Sequence, residues 1–166
     1  MDKKNILLYN TVAFCAALCA AFCAVLPVHA ETAGEPMAIR VSDILTMPLA
    51  FVGETFGFPS GVATVRGPEK EMDDVVFMYP NGLELYIAHD LVWQVHLTCP
   101  ESGTVHGITA GMDREAAERA LPAPYSVYGD SSVFRLPGAA YPIGLHLYWD
   151  QAGQTVTDVY LFRADY

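Results

Sequence analysis

One eight-residue segment occurs twice in this chain, and the repetition constrains its fold more than any other feature. Residues 79–86 read YPNGLELY and residues 141–148 read YPIGLHLY, with the same residue type at six of eight positions. Weaker matches keep the same order at offsets of 62 to 64 residues: FGFP at 56–59 with RALP at 119–122, and VWQVHL at 92–97 with VTDVYL at 156–161. Ordered matches at a nearly constant offset indicate an internal duplication.

Local signals predict a short helix followed by strands in each copy. Asp113 is placed to cap the second helix, which Pro122 ends. In the first copy Ser42 caps a turn, Pro48 forces a restart, and the helix runs to Gly57. Alternating apolar residues between turn residues predict strands at 61–66, 74–79, 83–87, 91–98, 125–128, 132–136, 140–148 and 155–163.

These elements predict an α+β fold of two tandem helix-plus-antiparallel-hairpin units, residues 40–98 and 107–166. The short helices are expected to pack on one face of an antiparallel sheet.

The first 30 residues predict a cleavable secretory signal peptide. Lys3 and Lys4 form the basic start, an apolar run follows, and residues 28–30 (VHA) fit a cleavage site before a flexible mature N-terminus at 31–39. A retained single-pass anchor is the alternative, but the apolar core of about 15 residues is short for a membrane span. Lipid attachment is not expected, because a large residue precedes each cysteine of this segment. We therefore expect a secreted or periplasmic protein without stable membrane insertion after cleavage.

Charge and cysteine content narrow the functional classes. Without Lys3, Lys4 and Asp2 the mature chain has 7 basic and 18 acidic residues, a net charge of −11 against −10 for the whole chain. Such an acidic chain repels phosphate backbones, so nucleic acid is not an expected partner.

Cys99 is the single mature cysteine, which excludes an internal disulfide. It is interpreted as a small, partly buried hydrophobe, with a reactive thiol as the alternative.

The repeat resembles the β-lactamase-inhibitor-protein-like fold family, which also includes the small lipoprotein of the outer-membrane assembly machine. The resemblance lies in GITAGMD at residues 107–113, the helix end at Leu121-Pro122 and the hairpin at 141–161, and it covers most of residues 40–163. It implies non-catalytic binding through an exposed sheet face. Two features depart from the family: this chain lacks the disulfides of the inhibitors and the lipidated cysteine of the lipoprotein.

Strand alternation identifies that face. The apolar residues at 83, 85 and 87, and at 145, 147 and 149, are predicted to point toward the helices. The residues between them, together with Gln94 and Asp158, point the other way. The predicted binding residues are Glu84, Tyr86, His96, His146, Tyr148 and Tyr160. Tyrosine-rich surfaces suit protein recognition, although tyrosine is also a common strand former on an ordinary solvent-facing sheet.

The sequence gives little support for catalysis or for a cofactor. It lacks a nucleophile elbow, a phosphate-binding loop and a dinucleotide motif. No histidine pair has helical zinc-site spacing, so a metal site would have to be assembled from separate strands, for example from His96, His146 and Glu84. We expect no cofactor, no metal and no enzymatic activity.

The expected function is therefore that of an exported, non-enzymatic binding module. It recognises another envelope or extracellular protein through the aromatic sheet face, and inhibition of an enzyme is one form of this function. The alternatives are a cell-envelope hydrolase or a small-molecule carrier with a cleft between the repeats, and a purely structural envelope protein.

Export predicts a defined processing event. Expression in a secreting host should yield a protein whose intact mass corresponds to residues 31–166, because cleavage is expected after Ala30. A membrane-bound product that retains Lys3 and Lys4 would contradict both the cleavage and the soluble assignment.

Overall fold

A computed structural model describes the backbone of residues 38–39 and all of residues 44–67, 73–137 and 140–166. The predicted signal peptide and the predicted cap at Ser42 lie outside these residues. Within the described ranges, no helix has the length and apolar character needed to cross a membrane.

The described chain contains ten strands and two short α-helices. The strands are β1 (Ala38–Ile39), β2 (Gly61–Val65), β3 (Asp74–Met78), β4 (Leu83–Ala88), β5 (Leu91–Leu97), β6 (Thr104–Val105), β7 (Ser126–Val127), β8 (Ser131–Leu136), β9 (Ile143–Trp149) and β10 (Val156–Arg163). The helices are α1 (Leu49–Phe56) and α2 (Arg114–Ala120), and a 3₁₀ turn covers Pro100–Ser102.

Eight of the strands form a single sheet in the order β2-β3-β4-β5-β10-β9-β8-β7, and all pairs in it are antiparallel. A parallel pair of β1 with β6 lies outside this sheet. The first half of the chain supplies β2 to β5 and the second half supplies β7 to β10. Consequently the two halves meet at the β5–β10 pair in the middle of the sheet.

Alternation along the central strands builds the hydrophobic core. On β4 and β9, Leu83, Leu85, Leu145 and Leu147 are fully buried, as the sequence pattern predicts. Leu83 pairs with Leu97 across the β4–β5 hairpin. In the second hairpin Leu145 and Leu161 pair in the same way. The middle strands of the sheet therefore place one face in the core and leave the other free for polar and aromatic side chains.

Both helices form where the sequence predicts them and join this core. The Asp113 carboxylate accepts a hydrogen bond from the Ala116 backbone N–H at 3.1 Å, which is the expected N-cap of α2. Helix α1 starts directly after Pro48 and ends at Gly57, whose φ of 75° suits glycine. Each helix has one fully buried side chain in the core cluster, Val52 in α1 and Ala117 in α2.

The predicted fold class is wrong. Over the residues that the structure describes, the chain is mostly one antiparallel sheet of eight strands with two short helices, and it is not built of two helix-plus-hairpin units. The physical reason is that β5 and β10 pair through four residues on each strand, which makes the two halves continuous. The boundaries at 40–98 and 107–166, and a duplication as their origin, stay predictions.

The repeated Tyr-Pro-x-Gly segment also differs between its two copies. In the first copy Gly82 has a φ of 78° and ends the turn before β4. In the second copy Gly144 lies inside β9, and the ring of Phe162 crosses it so closely that an added Cβ would lie 2.3 Å from the ring. Glycine is therefore required for space at both residues, since an added Cβ at residue 82 would lie 2.6 Å from the Cys99 sulfur, and at residue 82 it is also required for the backbone conformation.

Leu147 tests the assignment of the core face. Leu147→Ala should lower the free energy of unfolding by about 2–5 kcal/mol, because it leaves a cavity where a fully buried side chain packs. Chemical denaturation measures the change. A loss below about 0.5 kcal/mol, the range of ordinary surface substitutions, would show that this face of β9 is not the core.

Candidate functional site

The six predicted binding residues lie together on one face of the sheet. Four of them are direct neighbours across adjacent strands: Glu84 on β4 faces His96 on β5, which faces Tyr160 on β10, which faces His146 on β9. Tyr86 and Tyr148 lie in the two flanking rows. We call the surface formed by Glu84, Tyr86, His96, His146, Tyr148 and Tyr160 the aromatic face.

His96 lies at the centre of the aromatic face between two carboxylates. Its Nδ1 is 2.9 Å from Oε2 of Glu84, and its Nε2 is 2.9 Å from Oδ1 of Asp158. The residue is only 6% exposed. Ionised carboxylates only accept hydrogen bonds, whereas a neutral imidazole has one N–H. A neutral imidazole between two ionised carboxylates can therefore make only one of these hydrogen bonds. Both form together when each ring nitrogen carries a proton, or when one of the carboxyl groups is protonated.

We call this group of Glu84, His96 and Asp158 the His96 clamp. Its members come from β4, β5 and β10, so the clamp joins side chains of the two halves of the chain. Because both imidazole nitrogens are engaged, His96 has no free nitrogen with which to act as a general base. The clamp is therefore a positioning element of the face.

A stack of rings extends from the clamp. The rings of His96 and Tyr160 lie parallel with 3.9 Å between their centroids. Tyr148 meets Tyr160 edge-on at 5.8 Å, and His146 lies 4.4 Å from Tyr148. Each such aromatic pair stabilises a folded protein by about 0.5–1.5 kcal/mol beyond the contribution of its buried area. The rings therefore hold one another in place on the sheet.

Burial and neighbouring charge set the protonation of the face. Burial, together with the Asp158 and Glu84 carboxylates, raises the pKa of Tyr160 to about 12. The pKa of Tyr86 is also raised, first by burial and then by the charge of Glu84. Burial lowers the pKa of His146, opposed in part by Asp130. At neutral pH both tyrosines are thus neutral hydroxyls in a negative field.

A groove of about 450 Å³ opens on the aromatic face. Its lining is mostly aromatic and comes from β5, β9, β10 and the segment after β10: Trp93, Gln94, His146, Tyr148, Tyr160, Phe162, Arg163, Ala164 and Tyr166. The groove therefore spans the junction between the two halves of the sheet.

The sequence interpretation did not include Trp93 in the site. Simple alternation turns Trp93 away from Gln94, but a register shift between β4 and β5 pairs Tyr86 with Gln94 and Ile87 with Val92. This β-bulge leaves Trp93 without an opposite residue on β4 and redirects its side chain. The indole N–H then donates to Asp74 at 2.9 Å, and the ring stacks on Tyr166 at 5.9 Å. Trp93 in this way becomes part of the groove lining.

Phe162 and Tyr166 were also missed. Alternation from Tyr160 places Phe162 on the same face, and the matched Gly144 beneath it was the signal that could have found it. Tyr166 follows the last strand, where periodicity gives no information. Its position depends on contacts with Trp93 and His89.

The other candidate residues have structural contacts. Cys99 donates from its thiol to the Asn81 carbonyl at 3.1 Å and is partly buried, consistent with the packing interpretation. In the part of the chain that the structure describes, no group of three or more His, Cys, Asp or Glu side chains has metal-binding geometry.

Comparison with solved structures identifies proteins of similar fold. A cysteine-rich secretory protein from Staphylococcus aureus has a TM-score of 0.52 and 15% identity, over 79% of this chain and 49% of its own. An extracellular protein containing an SCP domain from Bacillus anthracis has a TM-score of 0.52 and 14% identity, over 79% and 48%. This chain therefore spans about half the length of each. At this identity the similarity concerns the fold alone.

Searches of family models and of curated proteins find no match to this chain. The two structural neighbours are not described as members of the β-lactamase-inhibitor-protein-like family. That resemblance stays a prediction.

The His96 clamp predicts energetic coupling between β5 and β10. In a double-mutant cycle of His96→Ala and Asp158→Ala, the coupling should reach about 0.5–3 kcal/mol, because the two side chains interact directly. Urea denaturation of the four proteins measures it. His96→Ala with Glu115→Ala on exposed α2 is the control and should be additive within about 0.5 kcal/mol. Equal coupling in both cycles would contradict the clamp.

Proposed function

We propose that this protein is an exported, non-enzymatic binding module that recognises another envelope or extracellular protein through its aromatic face. The observation that carries the proposal is that six half-buried or buried polar and aromatic residues from β4, β5, β9 and β10 share one face of the sheet. Three of them, His146, Tyr148 and Tyr160, line the groove on that face. Large rings with polar tips dominate the energetics of protein interfaces.

Export is supported by two independent observations. The first 30 residues have the composition of a signal peptide. The structural neighbours are described as a secretory protein and an extracellular protein.

Binding without catalysis is supported by the engagement of the polar groups. Both nitrogens of His96 face carboxylates, and the thiol of Cys99 donates to a backbone carbonyl. These contacts leave neither side chain arranged as a nucleophile–base pair. The rings are held by one another and by the clamp, so the face is preorganised, which lowers the entropic cost of binding.

The groove favours a second candidate, a carrier of a small molecule. Its volume of about 450 Å³ is within the range of small-molecule sites. The two functions differ in the bound species, which is a cross-linkable protein for the module and a co-purified small molecule for the carrier.

Site-specific photo-crosslinking tests the module. A photoreactive phenylalanine analogue replaces Tyr148 on the aromatic face or, as the control, Phe51, which is 54% exposed on α1. Incubation with native envelope and culture supernatant should give a discrete protein adduct from position 148 and none from position 51. Adducts from position 51 alone, or equally from both positions, would contradict the proposal.

The captured partner then allows a quantitative comparison. Tyr148→Ala should weaken its binding by roughly 1–3 kcal/mol, as truncation of an interface hot spot does, in isothermal titration calorimetry. The thermal midpoint of the variant should fall modestly while unfolding stays cooperative, because Tyr148 lies outside the core cluster but loses its ring contacts with His146 and Tyr160. Unfolding of Tyr148→Ala would instead show that the face is structural.

A further inference from the structure

We propose that the groove binds a lysine- or arginine-bearing segment of the protein partner, with the cationic side chain held against Trp93, Tyr148 and Tyr160. This inference rests on the proposed function, because it names the chemistry of the segment that the aromatic face recognises.

The groove has aromatic walls of a kind that suits a cation. Trp93 and Tyr166 stack at 5.9 Å and 10°, and Tyr148 and Tyr160 meet at 5.8 Å with their planes 69° apart. All four rings line the same groove. Indole and phenol rings attract a cation placed over their faces, and the attraction increases when the cation is desolvated.

The protein itself places a cation against one of these walls. The Arg163 guanidinium lies 5.1 Å from the ring centre of Tyr166, and it also lies 4.6 Å from that of Tyr141, which is not part of the groove lining. Its charge is balanced by Asp165, which accepts two hydrogen bonds at 2.8 and 3.0 Å. A second cation therefore meets a neutralised pair at this end of the groove and not an isolated positive charge.

Carboxylates give the face a negative field. Glu84 and Asp158 share the single imidazole of His96, so the clamp is negative even with a doubly protonated ring. The Asp158 side chain is 36% exposed and can be reached by a partner ammonium group. The raised pKa of Tyr160, caused in part by Asp158 and Glu84, is a second sign of the same field.

The overall charge favours the same class of partner. The chain has a net charge of −10, which attracts basic segments over about a Debye length and repels acidic ones. A neutral glycan would stack on the rings but gain nothing from the carboxylates. A basic peptide uses both the rings of the groove and the carboxylates beside it on the same face, and its binding should weaken with added salt.

Defined peptides test the inference without knowledge of the natural partner. The probes are a dye-labelled nonapeptide of alternating lysine and glycine, its glutamate counterpart, and chitotetraose as a neutral glycan. Fluorescence anisotropy measures the affinity of the two labelled peptides, and calorimetry that of the glycan. The lysine peptide should bind, about tenfold or more tightly than either of the others.

Two site variants and one control localise the binding. Asp158→Asn removes one charge but keeps an oxygen that accepts from His96, and Tyr148→Ala removes a wall. Each should weaken the lysine peptide about fivefold or more. Glu54→Gln makes the same charge change at an exposed position of α1 and should alter affinity less than about twofold. A cooperative thermal transition well above the assay temperature shows that each variant is folded.

Three results would overturn the inference. The first is an equal loss from Glu54→Gln and Asp158→Asn, which indicates general attraction to an acidic surface. The second is tighter binding of chitotetraose or of the glutamate peptide. The third is no binding of any probe. If adducts still form at position 148 in that case, the face binds a protein and only its proposed chemistry is wrong; without those adducts the proposed function fails as well.

Discussion

The pairing of β5 with β10 is the interaction on which the rest of this structure depends. It joins strands that are about 60 residues apart in the sequence and makes one sheet from two four-stranded halves. Its register opposes Val95 to Leu161 and Leu97 to Val159, all in the core, and opposes His96 to Tyr160 on the other face. Because side chains alternate along each strand, a slip of one residue would exchange these two sets. The His96 clamp stabilises the correct register, since its hydrogen bonds form only when Glu84, His96 and Asp158 share a face.

The sequence was most informative where periodicity decides the outcome. Alternation in LELY and LHLY placed Leu85 and Leu147 in the core and Tyr86 and Tyr148 opposite, because burial of a continuous apolar face leaves no other arrangement. Turn residues and Pro48 fixed the starts and ends of most elements to within a few residues. For the same reason all six predicted site residues lie on one face.

Features that depend on long-range contacts were not predictable in this way. Nothing in the local pattern shows that β5 pairs with β10, so the two halves were expected to form separate units. A bulge redirects Trp93, and bulges have no simple sequence signature when no glycine marks them. The position of Tyr166 depends on contacts with Trp93 and His89. The predicted residues therefore share one face, but the prediction lacked one wall of the groove, and their role in binding stays a prediction.

The protein forms one sheet with a core face and an aromatic face, both set by a single register, and the clamp and the ring stack order the second face. Nuclear Overhauser effects from the His96 ring in the mature protein test this arrangement directly. Strong cross-peaks to the Tyr160 ring are expected, because the centroids of the two rings lie 3.9 Å apart. Cross-peaks from His96 to the methyl groups of Leu147 or Val159 on the core face, without those to Tyr160, would contradict it.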